Sequence, residues 1–210
     1  MSEEKTEAWT IRPCRAQDLD ALRAICEETS SIELRNEKDR QFLLLTFCEA
    51  YVLYAADCFV AADENDRPVG YVFCASDTRR FFRVFRKQIL PQIARLGFRY
   101  ALLGYGICVQ QTLCSVFAPA HLHIDLTESA RPKGDGSALM KTLKTHLSGK
   151  GVARVGLTVN RKNVSAVRFY KKNGFKPVCR ALGAYVMRAQ TDGDMPGCSG
   201  TGEKEENPCR

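Results

Sequence analysis

Residues 131–139 run Arg-Pro-Lys-Gly-Asp-Gly-Ser-Ala-Leu, and residues 160–175 run Asn-Arg-Lys-Asn-Val-Ser-Ala-Val-Arg-Phe-Tyr-Lys-Lys-Asn-Gly-Phe. The first is a basic, glycine-containing turn that follows an apolar strand pattern and opens a helix pattern. Unpaired backbone amides and the positive end of a helix dipole converge at such a turn, which suits a pyrophosphate. Arg131, Lys133, Gly134, Asp135, Gly136 and Ser137 are the candidate contacts. In the second run Asn163 and Tyr170 stand seven residues apart. That is about two helical turns, so both side chains leave one face and can touch one ligand.

A lone Gly-x-Gly most often marks only a tight turn, so its rivals matter. A dinucleotide fingerprint needs a third glycine where Leu139 stands, and a P-loop needs Gly-Lys-Ser/Thr after four intervening residues; neither pattern is present. Just upstream, residues 121–126 run His-Leu-His-Ile-Asp-Leu. Strand alternation sends His121, His123 and Asp125 to one side, a set able to relay a proton. The competing reading for each histidine is a hydrogen-bonded, partly buried structural role. His146, on the helix after the turn, is expected to face solvent.

Together the two runs resemble the GNAT superfamily of acyl-CoA-dependent N-acetyltransferases. That family's phosphate turn reads Arg/Gln-x-x-Gly-x-Gly/Ala, and its next helix carries Asn…Phe-Tyr-x-x-x-Gly-Phe, matched here at Asn163, Phe169, Tyr170, Gly174 and Phe175. The likeness is strongest over residues 120–178. It implies a single α/β domain with a mixed, mostly antiparallel central sheet flanked by helices. It further implies acetyl transfer from acetyl-CoA to a primary amine by direct attack, with no metal. On this resemblance Tyr170 is the general acid for the leaving thiolate, Asn163 bonds the cofactor, and backbone groups of Ile124 and Leu126 pair with the pantetheine amide like an added strand. His121 and His123 are the candidate bases. A weaker likeness links residues 121–126 to acetyltransferase-like domains found attached to glycoside hydrolases.

Two departures from the family pattern stand out. Pro132 offers no amide to a phosphate, and Asp135 places a carboxylate where an uncharged residue is usual. They motivate the alternative of a catalytically silent acyl-CoA-binding or regulatory module.

The elements that must position these residues are set by periodicity. Residues 9–12 suggest a strand, and a helix begins at Asp18 with Leu22, Ile25 and Cys26 at helical spacing. A second helix is expected over 39–55, and strands over 58–62 and 69–75 are joined by hairpin punctuation at 63–68. Residues 77–119 form a long insertion, helical near Phe85, Ile89, Ile93 and Leu96 with a break over 97–106, expected near the acceptor site. Next come a strand at 122–126, a helix over 136–147, a strand at 153–159, a helix over 163–172 and strands at 175–179 and 185–187. Residues 1–8 are expected to be flexible, 9–189 to form the domain, and 190–210 to be a disordered tail.

At 210 residues, 45% hydrophobic and 26% charged, the chain suits one well-filled core. No run of about eighteen apolar residues occurs, and Met-Ser-Glu-Glu-Lys lacks the order of a secretory signal, so a cytoplasmic protein without membrane contact is expected. Ten cysteines lack any Cys-x-x-Cys pair, which disfavours zinc and suggests reduced thiols packed as small core residues. The net charge of +7 admits a nucleic-acid partner, which ranks behind cofactor phosphates and an acidic substrate. Arg79, Arg80, Arg83, Arg86, Lys87, Arg95 and Arg99 crowd one segment, either a solvated helix face or an anion-attracting wall of the pocket. The acceptor is a small-molecule or protein amine, and the oligomeric state stays open between monomer and homodimer.

Overall fold

In the computed structural model, residues 9–54, 57–131, 134–181 and 183–191 are described, without the side chains of Leu113, Cys114 and Ala181. Seven strands form one sheet in the order β1-β2-β3-β4-β5-β7-β6. These are β1 (Thr10–Pro13), β2 (Asp57–Ala62), β3 (Pro68–Ala75), β4 (Ala120–Leu126), β5 (Arg154–Asn160), β6 (Lys176–Ala181) and β7 (Ala184–Gln190). All neighbouring strands pair antiparallel except β4 and β5. The expected mixed, mostly antiparallel α/β sheet is what forms.

Among the described residues, eight α-helices flank the sheet: α1 (Leu19–Thr29), α2 (Glu37–Leu44), α3 (Ala50–Tyr54), α4 (Thr78–Gln88), α5 (Leu90–Leu96), α6 (Phe98–Cys114), α7 (Asp135–Gly149) and α8 (Val164–Lys172). Strand alternation sorts the core into two layers. Tyr71, Phe73 and Ala75 of β3 pack with α1, α2 and the α4–α6 group. Val72 and Cys74 face the other way, with Leu122, Ile124 and Leu126 of β4 and Leu139, Met140, Leu143 and Leu147 of α7. His121 and His123 consequently lie on the opposite side from Leu122 and Ile124, as the alternation requires.

Three expectations need correction. The helix expected over 39–55 is interrupted by a π-helical stretch, Leu45–Glu49, between α2 and α3. A π-bulge inserts an extra residue into the helical turn and rotates the facing of the residues after it, which periodicity alone does not reveal. The break expected over 97–106 is absent. Gly97, at φ 134°, ends α5, but α6 then runs unbroken through Gly104 and Gly106. Gly104 is there for close approach, since a Cβ on it would meet Leu90 Cδ1 at 3.0 Å and Ile93 Cγ2 at 3.2 Å.

His146, expected to face solvent, is instead held by its Nε2 at 2.6 Å from Asp57 Oδ1. Lys150 Nζ donates to the same oxygen of this 1%-exposed carboxylate. Burial alone would raise the Asp57 pKa; Lys150, His146 and Ser76 outweigh it and hold the group below the ordinary carboxylate range. A depressed folded pKa adds stability above the unfolded value near 4, lost as pH falls through the folded value. Asp57→Ala is expected to cost about 1–3 kcal/mol in urea unfolding at pH 7. The gap from wild type should shrink below about pH 4.

β7 continues through Gln190, and the buried Thr191 is tied by its amide to Ala153 O at 3.1 Å. Residues 1–8 and 192–210, including Cys198 and Cys209, lie outside the described residues. No disulfide links any of the seven cysteines whose side chains are described.

Candidate active site

β4 and β5 pair at Ala120↔Val155 and His121↔Gly156 alone. Beyond that point Ile124, Asp125 and Leu126 of β4 and Thr158, Val159 and Asn160 of β5 line a cleft of about 600 Å³. Two parallel strands that part in this way leave main-chain groups along the opened seam available to an extended ligand. The cleft runs on to the turn before α7 and to the exposed start of α8.

At that turn Gly134 adopts φ 89° and ψ 2°, a left-handed conformation that glycine takes without steric cost. Gly136 is required for a different reason, since a Cβ there would meet Phe169 Cε2 at 3.0 Å and Leu126 Cδ1 at 3.2 Å. Both glycines line the cleft, as do Ser137 and Arg131. Arg131 Nε donates to Leu126 O at 3.1 Å, which folds the guanidinium back over the end of β4. Asp135 is 8% exposed, lies in the first turn of α7 and is not among the cleft-lining residues. Lys133 and Pro132 fall outside the described residues.

Across the cleft, Asn163 and Tyr170 both line it, as their spacing implied. Asn163 caps α8, its Oδ1 accepting from Ala166 N at 3.0 Å. Asn173 closes the far end, donating to Ser137 Oγ at 3.3 Å and to Phe169 O at 2.9 Å, and so ties α8 to α7. The half-buried Tyr170 has its phenol pKa raised, first by burial and then by the Asp125 charge. It stays protonated at neutral pH.

The two histidines part company. His121 is 5% exposed, with Nδ1 at 3.0 Å from Thr78 Oγ1 and Nε2 at 2.9 Å from Tyr51 Oη. It does not line the cleft. Burial, then the neighbouring His123, lowers its pKa to about 3, so the ring is neutral. His123 does line the cleft, with Nε2 at 3.0 Å from Asp125 Oδ2. Burial pulls its pKa down, but the Asp125 carboxylate and Cys26 outweigh this and push it up to about 10. Tyr71 donates to Asp125 Oδ2 at 2.6 Å, completing a half-buried polar group at the cleft floor.

The sequence reading missed the wall facing this group. Cys26, Thr29, Ser30, Ser31, Ile32, Leu43 and Phe47 line that end. Phe47 belongs to the π-helical stretch, and its ring centroid is 5.5 Å from that of His123. The break after α1 at Ser30-Ser31 was the only signal of that wall in the sequence. No residue of 77–119, the insertion expected near the acceptor site, lines the cleft. The insertion backs α2 from the other side, Tyr100 Oη donating to Asp39 Oδ1 at 2.8 Å and its ring lying 5.7 Å from Phe42. Among the described residues, no cluster of three or more His, Cys, Asp or Glu could hold a metal, and no helix is long and apolar enough to cross a membrane.

The arrangement matches known proteins. The family model described as "Acetyltransferase (GNAT) family" matches residues 20–175. The crystal structure of SsHAT is 28% identical, with a TM-score of 0.80 over 89% of this chain and 100% of that one. The PaiA N-acetyltransferase of Thermoplasma acidophilum, solved in complex with coenzyme A, is 16% identical, with a TM-score of 0.58 over 87% and 99%. The polyamine N-acetyltransferase of Drosophila melanogaster, described as forming N-acetylagmatine, is 16% identical, with a TM-score of 0.59 over 87% and 100%. The sheet order, the parting of β4 and β5, and the left-handed glycine turn over α7 thus accompany a family match across most of the chain, which belongs to the GNAT acetyltransferase family.

Proposed function

We propose that the protein is an N-acetyltransferase that moves an acetyl group from acetyl-CoA to a primary amine by direct attack. The observation that carries this reading is the continuous cleft from the parted strands to the Gly134 turn, with His123 and Asp125 at one end and Tyr170 beside it. Gly134, Gly136, Ser137 and Arg131 would hold the pyrophosphate, Asn163 the cofactor's flank, and the main chain of Ile124 and Leu126 the pantetheine. Family membership and the coenzyme A complex of the PaiA protein support this assignment. Burial of Asp135 away from the cleft also weakens one of the two sequence arguments for a silent module.

The attacking nitrogen must be neutral, yet an amine of ordinary pKa is only about one part in a thousand neutral near pH 7.4. The Asp125 carboxylate at 3.0 Å favours the protonated His123 ring, a form with no lone pair to accept a proton, and His121 is engaged by Thr78 and Tyr51. Desolvation in the cleft is therefore the source of the free amine in this reading. The nitrogen bonds to the thioester carbonyl carbon, the tetrahedral intermediate collapses, and the C–S bond breaks. Tyr170 gives its proton to the departing sulfur, and the proton that the nitrogen sheds as the amide forms restores the phenol. His121, held by Thr78 and Tyr51 away from the cleft, is not the base in this reading.

The test is calorimetric titration with acetyl-CoA, comparing wild type with Gly134→Glu. The substitution strains a left-handed position by about 1–2 kcal/mol and puts a carboxylate where phosphates bind. Micromolar binding in wild type and a loss of at least about 30-fold in the variant is expected. Equal affinity in both would remove the phosphate assignment. An amine screen on the binding-competent protein then separates turnover from silent binding.

A further inference from the structure

Residues 78–119 hold seven of the chain's 31 Lys and Arg and none of its 24 Asp and Glu, so removing them leaves 24 of each sign. The whole formal charge of +7 resides in the α4–α6 insertion. Its Arg79, Arg80, Arg83, Arg86 and Lys87 are all exposed on one face of α4, opposite the buried Phe81, Phe82 and Phe85. The adjoining helix exposes an apolar stripe. Phe98 is 84% exposed, Leu102 62%, Tyr105 56% and Val109 41%. Their spacing places them within about 60° of arc at 100° per residue. Tyr100, Gly104 and Cys108 of α6 are buried on the opposite side.

The two faces adjoin. Thr78 N donates to Pro119 O at 2.8 Å and Arg79 Nε lies 3.4 Å from Ser115 Oγ, while the Arg86 charge reaches Cys108. α4 therefore runs antiparallel beside α6, and Cys108 and Ser115, which meet it, lie on the side of α6 nearest Tyr105, the edge of the stripe. Exposed apolar surface on this scale marks an interaction site.

We propose that the α4–α6 insertion docks on an anionic phospholipid bilayer, its cations on the headgroups and Phe98, Leu102 and Tyr105 in the interfacial layer. Basic side chains beside aromatic and aliphatic ones, with no acid among them, are the composition of an interfacial helix. A polynucleotide would engage the arginines and leave Leu102 and Phe98 in water. A second copy docking through the same face would set five cations against five. The face is separate from the cleft, which leaves the cleft free to bind ligand while the insertion is docked.

The test is co-sedimentation of the full chain with vesicles of phosphatidylcholine alone or with 30% phosphatidylserine, at 50 and 500 mM salt. Binding is expected only with phosphatidylserine, with at least a tenfold loss at the higher salt, where exposed charges are screened. Two variants share the load, Arg83→Glu with Arg86→Glu, and Phe98→Ser with Leu102→Ser. Each pair should weaken vesicle binding at least tenfold and leave acetyl-CoA affinity and circular dichroism unchanged. Because all four side chains are exposed, misfolding is not the expected cause of loss. Equal binding to both vesicle types, or none, overturns the proposal. So does a dimer by light scattering that Phe98→Ser with Leu102→Ser dissociates, or single-stranded DNA binding lost in the arginine variant while vesicles are ignored.

Discussion

Tyr170→Phe is expected to lower acetyl transfer by about 10² to 10⁴ in kcat, with acetyl-CoA affinity changed less than about threefold. The substitution keeps the ring, which packs 5.3 Å from Phe169 and 5.8 Å from Phe175 between centroids, and deletes only the hydroxyl. A general acid acts on the sulfur as negative charge develops there, so its loss appears in kcat rather than in ground-state binding. The phenol suits the task because burial and the Asp125 charge keep it protonated. A reduction of this size is about 3–5 kcal/mol of transition-state stabilisation. Turnover within about threefold of wild type would reduce Tyr170 to an aromatic wall of the cleft. Single-turnover rates with a fixed acceptor, beside calorimetry on the same variant, separate the two cases.

How far the sequence reached depends on the range of the interaction. Local periodicity placed Asn163 and Tyr170 on one face, the glycine turn before α7, and His121, His123 and Asp125 on one side of β4, because each is a matter of a few residues. Alternation says which side a residue faces but not what waits there. His121 meets Tyr51, 70 positions away, and Thr78, 43 positions away. His146 meets Asp57 across 89. None of these three partners leaves a mark near its histidine in the sequence. The wall of Cys26, Leu43 and Phe47 was equally hidden, because those residues look like ordinary core positions and a π-helical turn re-aims Phe47. The arginine-rich segment was visible as a charge run, yet only the packing of Tyr100 on Asp39 shows that it backs α2 instead of lining the cleft.

Asp125→Asn is expected to destabilise the protein by about 2 kcal/mol at pH 6, below the range for removing one partner of a fully buried ion pair, because the His123 and Asp125 side chains are 28% and 20% exposed. An imidazolium, unlike a guanidinium, can also shed its proton, which limits the cost. The pH dependence has a definite sign. In wild type the folded pKa of His123 is raised to about 10. The resulting stability is fully present below the unfolded value near 6.5 and is lost as pH rises through 10. Burial likewise pushes the Asp125 pKa up, but His123, Tyr71 and Thr29 hold it below the ordinary range, so its share is lost only in acid. Without the carboxylate, burial is the main influence left on His123 and its pKa falls below 6.5, so the variant loses stability on acidification where wild type does not. Denaturant unfolding should therefore show the gap widest near pH 5 and closing toward pH 10. Proton NMR provides an independent check because the chain has three histidines. The His123 ring should remain charged through pH 8 in wild type and neutral at pH 7 in Asp125→Asn, while His121 stays neutral in both. A wild-type His123 titrating near 6.5, or a gap flat from pH 5 to 10, would remove the ion pair and with it the argument that the acceptor amine loses its proton to desolvation rather than to His123.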